Sequence, residues 1–197
     1  MSMGAEMQIG WTGKLPCRGD FVTGGARLQM FAWFDAWASE GMVAVRDGGG
    51  PAADAFLTSD LQRLAASRGV LGAAPVLAVV GPGMDRAARL YPFVLGTELT
   101  DDIAPKETLE ANSAWFDEIE DVFLQALAPD FQPDRLAQLV ASLPPPTLVP
   151  AEVQGRVLAH GILDSPPEAV GAPLSVTELF GTPTVSHQPV APGGPLI

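Results

Sequence analysis

Apolar residues change their spacing along this chain in a way that divides it into elements. Between residues 7 and 24, Met7, Ile9 and Trp11 alternate with smaller or polar residues, the Leu15-Pro16 corner interrupts them, and Phe21-Val22 resumes the apolar signal, which predicts two short strands joined as a hairpin. From about Gly25 to Arg46 the spacing becomes three and four: Met30, Phe34, Trp37, Gly41 and Val45 recur, and Phe31, Ala38 and Met42 widen the face. Gln29, Asp35, Ser39, Glu40 and Arg46 fall on the other side or its edges, so this is an amphipathic helix, and Asp47-Gly48-Gly49-Gly50-Pro51 stops it. Val76-Leu77-Ala78-Val79-Val80 is a β-branched-rich run between Pro75 and Gly81, the pattern of a central strand buried on both faces. Leu90 to Leu99 reads as its partner, and Val70-Leu71 as the end of a third strand of this group. A second helix follows Pro105 with Phe116, Ile119, Phe123 and Leu127 as its stripe, and a third is opened by Pro133 and carries Leu136, Leu139, Val140 and Leu143.

The order is therefore ββαβββαα. Strands that follow one another without a helix between them predict an α/β protein of the α+β kind, with a mixed, largely antiparallel sheet and flanking helices. That order is similar to longin-like and profilin-like domains, a likeness of topology that carries no function. After residue 143 the texture changes: 11 of the 19 prolines lie in residues 144–197 and no period is sustained. The chain thus reads as one domain, residues 1–143, followed by an irregular, proline-rich arm, residues 144–197. Leu148-Val149, Val153, Val157-Leu158, Ile162-Leu163 and Leu174 to Phe180 are too apolar for a freely solvated linker and predict that parts of the arm pack on the domain.

Charge narrows the function classes. With 11 Lys and Arg against 23 Asp and Glu the net charge is −12, which repels a nucleic-acid backbone or an anionic membrane surface. Cys17 is the only cysteine, so there is neither an internal disulfide nor a multi-cysteine zinc site, and a reducing compartment suits the chain. Met1 to Met7 has no basic region leading into an apolar core, and the apolar run Val70–Met84 is broken by Pro75 and Gly81-Pro82. The expectation is a cytoplasmic protein without membrane insertion.

Chemistry concentrates in two polar islands, Gly10 to Val22 and Gly81 to Phe93. Each sets glycine and proline, which fix sharp backbone geometry, beside a few charges flanked by strand-like residues. Gly13-Lys14 is not a phosphate-binding loop, because Gln8 and Leu15 stand where that loop needs glycine and Ser or Thr. Arg18-Gly19-Asp20 reads as an Arg and an Asp framing a glycine turn. Lys14, Arg18, Asp20, Asp85, Arg86, Arg89 and Tyr91 form a candidate polar cluster, either an ion-pair network joining two loops of one sheet or a recognition pocket. Pairs such as Arg18 with Asp85 or Arg86 with Asp20 serve both readings. No catalytic residue is assigned: His160 and His187, the only histidines, lie in the arm, far from Cys17, Ser59 and the aspartates, so a catalytic triad, a metal site or a cofactor is not expected. Between Glu98 and Asp121 nine acids face one base, Lys106, and Asp117, Glu118, Glu120 and Asp121 crowd the outer face of the second helix, as a solvated surface or as a docking surface for a basic partner. Trp33, at the margin of the first helix's stripe, is the candidate for an exposed hot spot.

The islands also carry a resemblance. Gly10-Trp11 leading into Gly13-Lys14-Leu15-Pro16, Arg18, Gly19, Asp20 and Phe21, then Asp35 and Trp37 on a helix, Phe56-Leu57-Thr58-Ser59, and Asp85-Arg86-Ala87-Ala88-Arg89-Leu90-Tyr91-Pro92-Phe93, resemble the type VI secretion-associated TagF (ImpM) family over roughly residues 8 to 143. Ala88 stands where that family usually has glycine, and Tyr91 where it usually has phenylalanine. Asp60-Leu61-Gln62-Arg63-Leu64 replaces a tryptophan-containing stretch, and a late tryptophan-rich segment is missing. The resemblance implies a non-enzymatic accessory protein of a bacterial type VI secretion system, a post-translational regulator that binds a forkhead-associated scaffold protein. A small-molecule-sensing or hydrolytic domain using Asp20, Asp85 and Arg86, and a purely structural scaffold domain, remain as alternatives.

Overall fold

The computed structural model describes residues 8–152, 157–161, 168–170 and 175–180. Its centre is one sheet in which every pairing is antiparallel. The first two strands, β1 (Ile9–Lys14) and β2 (Phe21–Gly25), form the expected hairpin. The later strands are β3 (Gln62–Ala66), β4 (Val76–Gly81), β5 (Phe93–Glu98), β6 (Leu158–Gly161) and β7 (Glu168–Val170), and the spatial order is β2-β1-β5-β4-β3-β6-β7. β1 therefore lies beside β5, with Trp11 opposite Leu95, and β4 lies between β5 and β3.

β4 is buried along its whole length, as its unbroken apolar run predicts. Val76, Ala78 and Val80 face one core with Met30, Phe34 and Phe56; Leu77 and Val79 face another with Phe116, Ile119 and Phe123. Helices α1 (Met30–Asp47) and α2 (Gly49–Leu57) supply the first layer, and α4 (Ser113–Ala126) and α5 (Arg135–Ala141) supply the second, with α3 (Pro105–Ala111) beside the sheet at β3 and β6. The protein is a sheet between two helical layers, in the α+β class.

Three elements differ from the pattern-based expectation, each for a physical reason. Gly48-Gly49-Gly50-Pro51 ends α1 but also opens α2: Gly49 takes a left-handed φ of 65°, and Pro51 sits in a first turn, where a missing N–H leaves no bond unmade. The third strand of the group is Gln62–Ala66 rather than Val70-Leu71. Gln62 and Arg63 hid it, being polar residues in a strand that is buried throughout. Val70 and Leu71 are buried in the turn that follows. The second helix is broken at Asn112 into α3 and α4, because the buried Asn112 side chain serves other backbone: its amide donates to the Thr108 and Thr147 carbonyls and its Oδ1 accepts the Thr147 N–H at 2.7 Å.

That last bond belongs to the arm, which is less irregular than its prolines suggest. Trp115 Nε1 donates to the Pro144 carbonyl at 2.9 Å, Ala104 N–H donates to Val149, and β6 and β7 extend the sheet beyond β3. A short helix α6 (Val176–Leu179) lies against α1. Val153, Ile162-Leu163 and Leu174 lie outside the described residues, as does His187.

Arg63 is tolerated inside the sheet because Glu120 of α4 meets it in two-point fashion, Nε to Oε1 at 2.6 Å and Nη2 to Oε2 at 2.7 Å, while Asp117 accepts a third bond at 2.6 Å. The Glu120 hydrogen bond leads in holding the guanidinium's pKa above its ordinary value, against the opposing effect of burial. Removing one partner of such a pair strands the other charge. Arg63→Met should lower unfolding stability by about 3–5 kcal/mol in urea titrations, whereas Arg63→Met with Glu120→Met should recover most of that loss.

Candidate functional site

The two polar islands meet at one end of the sheet. Lys14 ends β1, and the 82–92 loop joins β4 to β5, so antiparallel pairing of β1 with β5 brings the loops side by side. Two glycines let the backbones touch. A Cβ at Gly83 would overlap the carbonyl oxygens of Lys14 and Tyr91, and one at Gly13, whose φ is 134°, would overlap Pro92 and Phe93. Arg86 N–H donates to the Arg18 carbonyl at 2.7 Å, and the Arg89 guanidinium donates to the Gly19 carbonyl.

At the junction lies the Asp85 carboxylate, 1% exposed. One oxygen accepts the N–H groups of Ala87 and Arg89, at 2.9 and 3.0 Å, and the other accepts Arg89 Nε at 2.7 Å and pairs with Lys14 Nζ at 3.1 Å. Burial pushes this carboxyl's pKa up, but the Arg89 N–H, the Lys14 ammonium, the Arg89 side chain and the Ala87 N–H together outweigh it and hold the group at about 2. Lys14 is itself buried and lies 5.4 Å from the centre of the Phe21 ring. Ala88 takes a left-handed φ of 60°, at the position where glycine would be relaxed.

Of the seven residues expected in this cluster, Lys14, Asp85 and Arg89 form its ionic core. The expected pairs of Arg18 with Asp85 and of Arg86 with Asp20 do not occur. Asp85 is already satisfied from below by Lys14, and Arg18 and Arg86 stand exposed with no ion pair among the described residues. Asp20 is exposed too and accepts its neighbour's N–H, from Phe21, at 2.8 Å. Tyr91 faces the other way: its hydroxyl donates to the Asp35 carboxylate of α1 at 2.6 Å, and burial followed by that bond raises its pKa to about 12. Asp85 is enclosed, with both carboxylate oxygens bonded, and Asp20 and Arg86 stand exposed without a bond to it.

The acidic helix face is also partly consumed by structure. Glu120 is buried on Arg63 and Asp117 is bonded to it, leaving Glu118 and Asp121 exposed. Trp33 is half-buried and stacked on Trp37 at 5.7 Å, at the edge of a core rather than free. Burial pushes the Cys17 thiol up, away from reactivity. Among the described residues no three His, Cys, Asp or Glu side chains are grouped to hold a metal, and no helix is long and apolar enough to cross a membrane.

What the sequence did not reveal is a cleft of about 580 Å³ beside the islands, between α1, the start of α2 and the 89–91 segment. Met42, Val43 and Leu90 line it with Ser39, Arg46 and Arg89. Its lining comes from three separate places in the sequence, α1, the start of α2 and the 89–91 segment, so no local signal announces it. Phe21, 46% exposed, stands edge-on to Tyr91 at 4.8 Å.

A family model described as the TagF N-terminal domain, type VI secretion system-associated, matches residues 10–143. Among solved structures the chain is similar to PA0076 from Pseudomonas aeruginosa PAO1, with a TM-score of 0.73 and 27% identity over 96% of this chain and 99% of that one. No curated protein matches.

Two measurements check the junction. Asp85→Asn should destabilise by about 3–5 kcal/mol at neutral pH, since it leaves Lys14 buried beside a neutral group. The folded-state pKa of about 2 lies below the ordinary 3.8, so Asp85 stabilises fully above about pH 5 and loses that contribution as pH falls through 2. The gap between wild type and Asp85→Asn should therefore narrow by about 2 kcal/mol over that range in urea titrations. Ala88→Gly should instead raise the urea midpoint, by about 1 kcal/mol of stability, by relieving the left-handed backbone.

Proposed function

The chain belongs to the type VI secretion-associated family of the TagF N-terminal domain, and we propose that it serves such a system as a non-enzymatic, cytoplasmic regulator that binds a forkhead-associated scaffold protein. We place the contact on the island face. What supports this is the division of labour at the junction: Lys14 and Arg89 Nε neutralise Asp85, while Arg18, Arg86 and the remainder of Arg89 stay at the surface beside exposed Phe21. Arginines and an aromatic ring held on a rigid frame are the composition of an interface hot spot. In a chain of net charge −12 they make a local cationic patch that fits an acidic surface on the partner.

The acidic face of α4 offers a second reading, docking of a basic partner. It is the weaker one, because Glu120 and Asp117 are committed to Arg63 and only Glu118 and Asp121 remain of the four.

Arg18→Ala combined with Arg86→Ala separates the two readings. Both side chains are exposed and unpaired among the described residues, so the melting temperature should hold, with a stability change within about 0.5 kcal/mol. Affinity for the purified scaffold, measured by calorimetry, should fall about tenfold or more, and should weaken further as salt shortens the screening length from about 10 Å at 0.1 M to about 3 Å at 1 M. Glu118→Gln with Asp121→Asn should leave affinity unchanged. The opposite pattern moves the contact to α4, and no binding by the wild-type chain overturns the reading.

A further inference from the structure

The cleft beside the islands has two kinds of polar group. Its hydroxyls are already engaged: Tyr91 O–H donates to the Asp35 carboxylate at 2.6 Å, and its oxygen lies 3.5 Å from Ser39 Oγ. Its guanidiniums are not. Arg89 gives Nε to Asp85 and Nη2 to the Gly19 carbonyl, and its Nη1 has no bond among the described residues. The Arg46 side chain, in the last turn of α1, meets the neighbouring Asp47 carboxylate at 3.3 Å with both side chains in water, and an exposed pair of that kind is weak. In a chain of net charge −12, the cleft is thus walled by two arginines and by no acid among the described residues.

The rest of the lining is mainly aliphatic. Met42 and Leu90 rest on the core beneath, whereas Val43 belongs to neither core cluster and is 43% exposed. A volume of about 580 Å³ with an apolar lining and a few placed charges is the make-up of a ligand cleft. The cleft also adjoins the island face. Arg89 belongs to both, and Tyr91, which walls the cleft, carries Phe21 edge-on at 4.8 Å. A partner seated on Arg18, Arg86 and Phe21 therefore meets the cleft at the border of its footprint.

We propose that the cleft is the anchoring half of that interface: it receives a segment of the partner protein that sets a carboxylate side chain beside an aliphatic one, the carboxylate pairing with Arg46 and Arg89 and the aliphatic side chain lying on Met42, Val43 and Leu90. This rests on the island-face reading and sharpens it. A cationic surface alone answers any acid, whereas the cleft selects an acid with an apolar neighbour, and guanidinium suits a carboxylate through its planar fork of donors.

The test measures binding of the purified forkhead-associated scaffold to the full chain by calorimetry. Arg89 is left unchanged because it holds Asp85. Val43→Asp sets an acid on the apolar part of the cleft and should lower affinity about tenfold or more. Arg46→Ala removes one guanidinium and should lower affinity about fivefold and flatten its salt dependence. Ala44→Asp adds the same charge to the same turn of α1 at an exposed residue that does not line the cleft, and should bind as wild type does. All three positions are exposed, so melting temperatures should hold, and Arg46→Ala carries the test if Val43→Asp does not fold. Loss in the cleft variants with full affinity in Arg18→Ala with Arg86→Ala keeps the cleft and removes the island face. Equal losses in Val43→Asp and Ala44→Asp overturn the cleft and leave the island face in place. So does wild-type affinity in both cleft variants while Arg18→Ala with Arg86→Ala weakens binding. No binding by the wild-type chain overturns both.

Discussion

A carboxylate removed from water must have its charge answered on the spot, and that requirement at Asp85 organises the functional end of this protein. One oxygen gathers two backbone N–H groups and so shapes the 85–89 turn; the other draws Lys14 from the end of β1 and Arg89 from the turn itself. Two loops separated by about seventy residues become one rigid surface because each supplies part of that answer. The glycines that allow contact, Gly13 and Gly83, and the left-handed Ala88, follow from the same demand for close approach.

A second ionic junction does the corresponding work on the other side of the sheet. Arg63 ties β3 to α4 through Glu120 and Asp117, and it lies 5.8 Å from the centre of the Phe116 ring. Together the two junctions decide which charges remain for a partner. Acids that look like a docking strip in the sequence are half absorbed into the fold, and arginines that look like halves of internal pairs are left outside. Glu118 and Asp121 thus stay exposed on α4, and Arg18, Arg86 and Phe21 stay exposed at the island end.

The arm adds a third kind of contact. Asn112 and Trp115 hold its first residues by hydrogen bonds, β6 and β7 join it to the sheet, and α6 seats an apolar stripe on α1 and α2. Its prolines break every period, so a segment read as irregular still contributes strands wherever a free edge of the sheet offers backbone partners. Membership in a type VI secretion-associated family, and the similarity to PA0076 over nearly the whole of both chains, sit on this architecture.

The amino-acid sequence by itself determined the elements whose burial follows a local period: the β1–β2 hairpin, α1, the doubly buried β4 with its partner β5, and the apolar stripe of α4. Each records its surroundings in its own spacing, because a residue facing a core must be apolar whichever element covers it. The sequence also placed both islands and pointed to them as the polar centre. Only the tertiary structure decided how those charges pair, since an arginine reads the same whether it meets Asp85 or solvent. It likewise decided that Arg63 could stand in a buried strand, that Asn112 would break a helix to hold the arm, and that Gly41 marks the seat of Val176. In each case the residue is explained by a partner tens of residues away, and no local pattern carries that information.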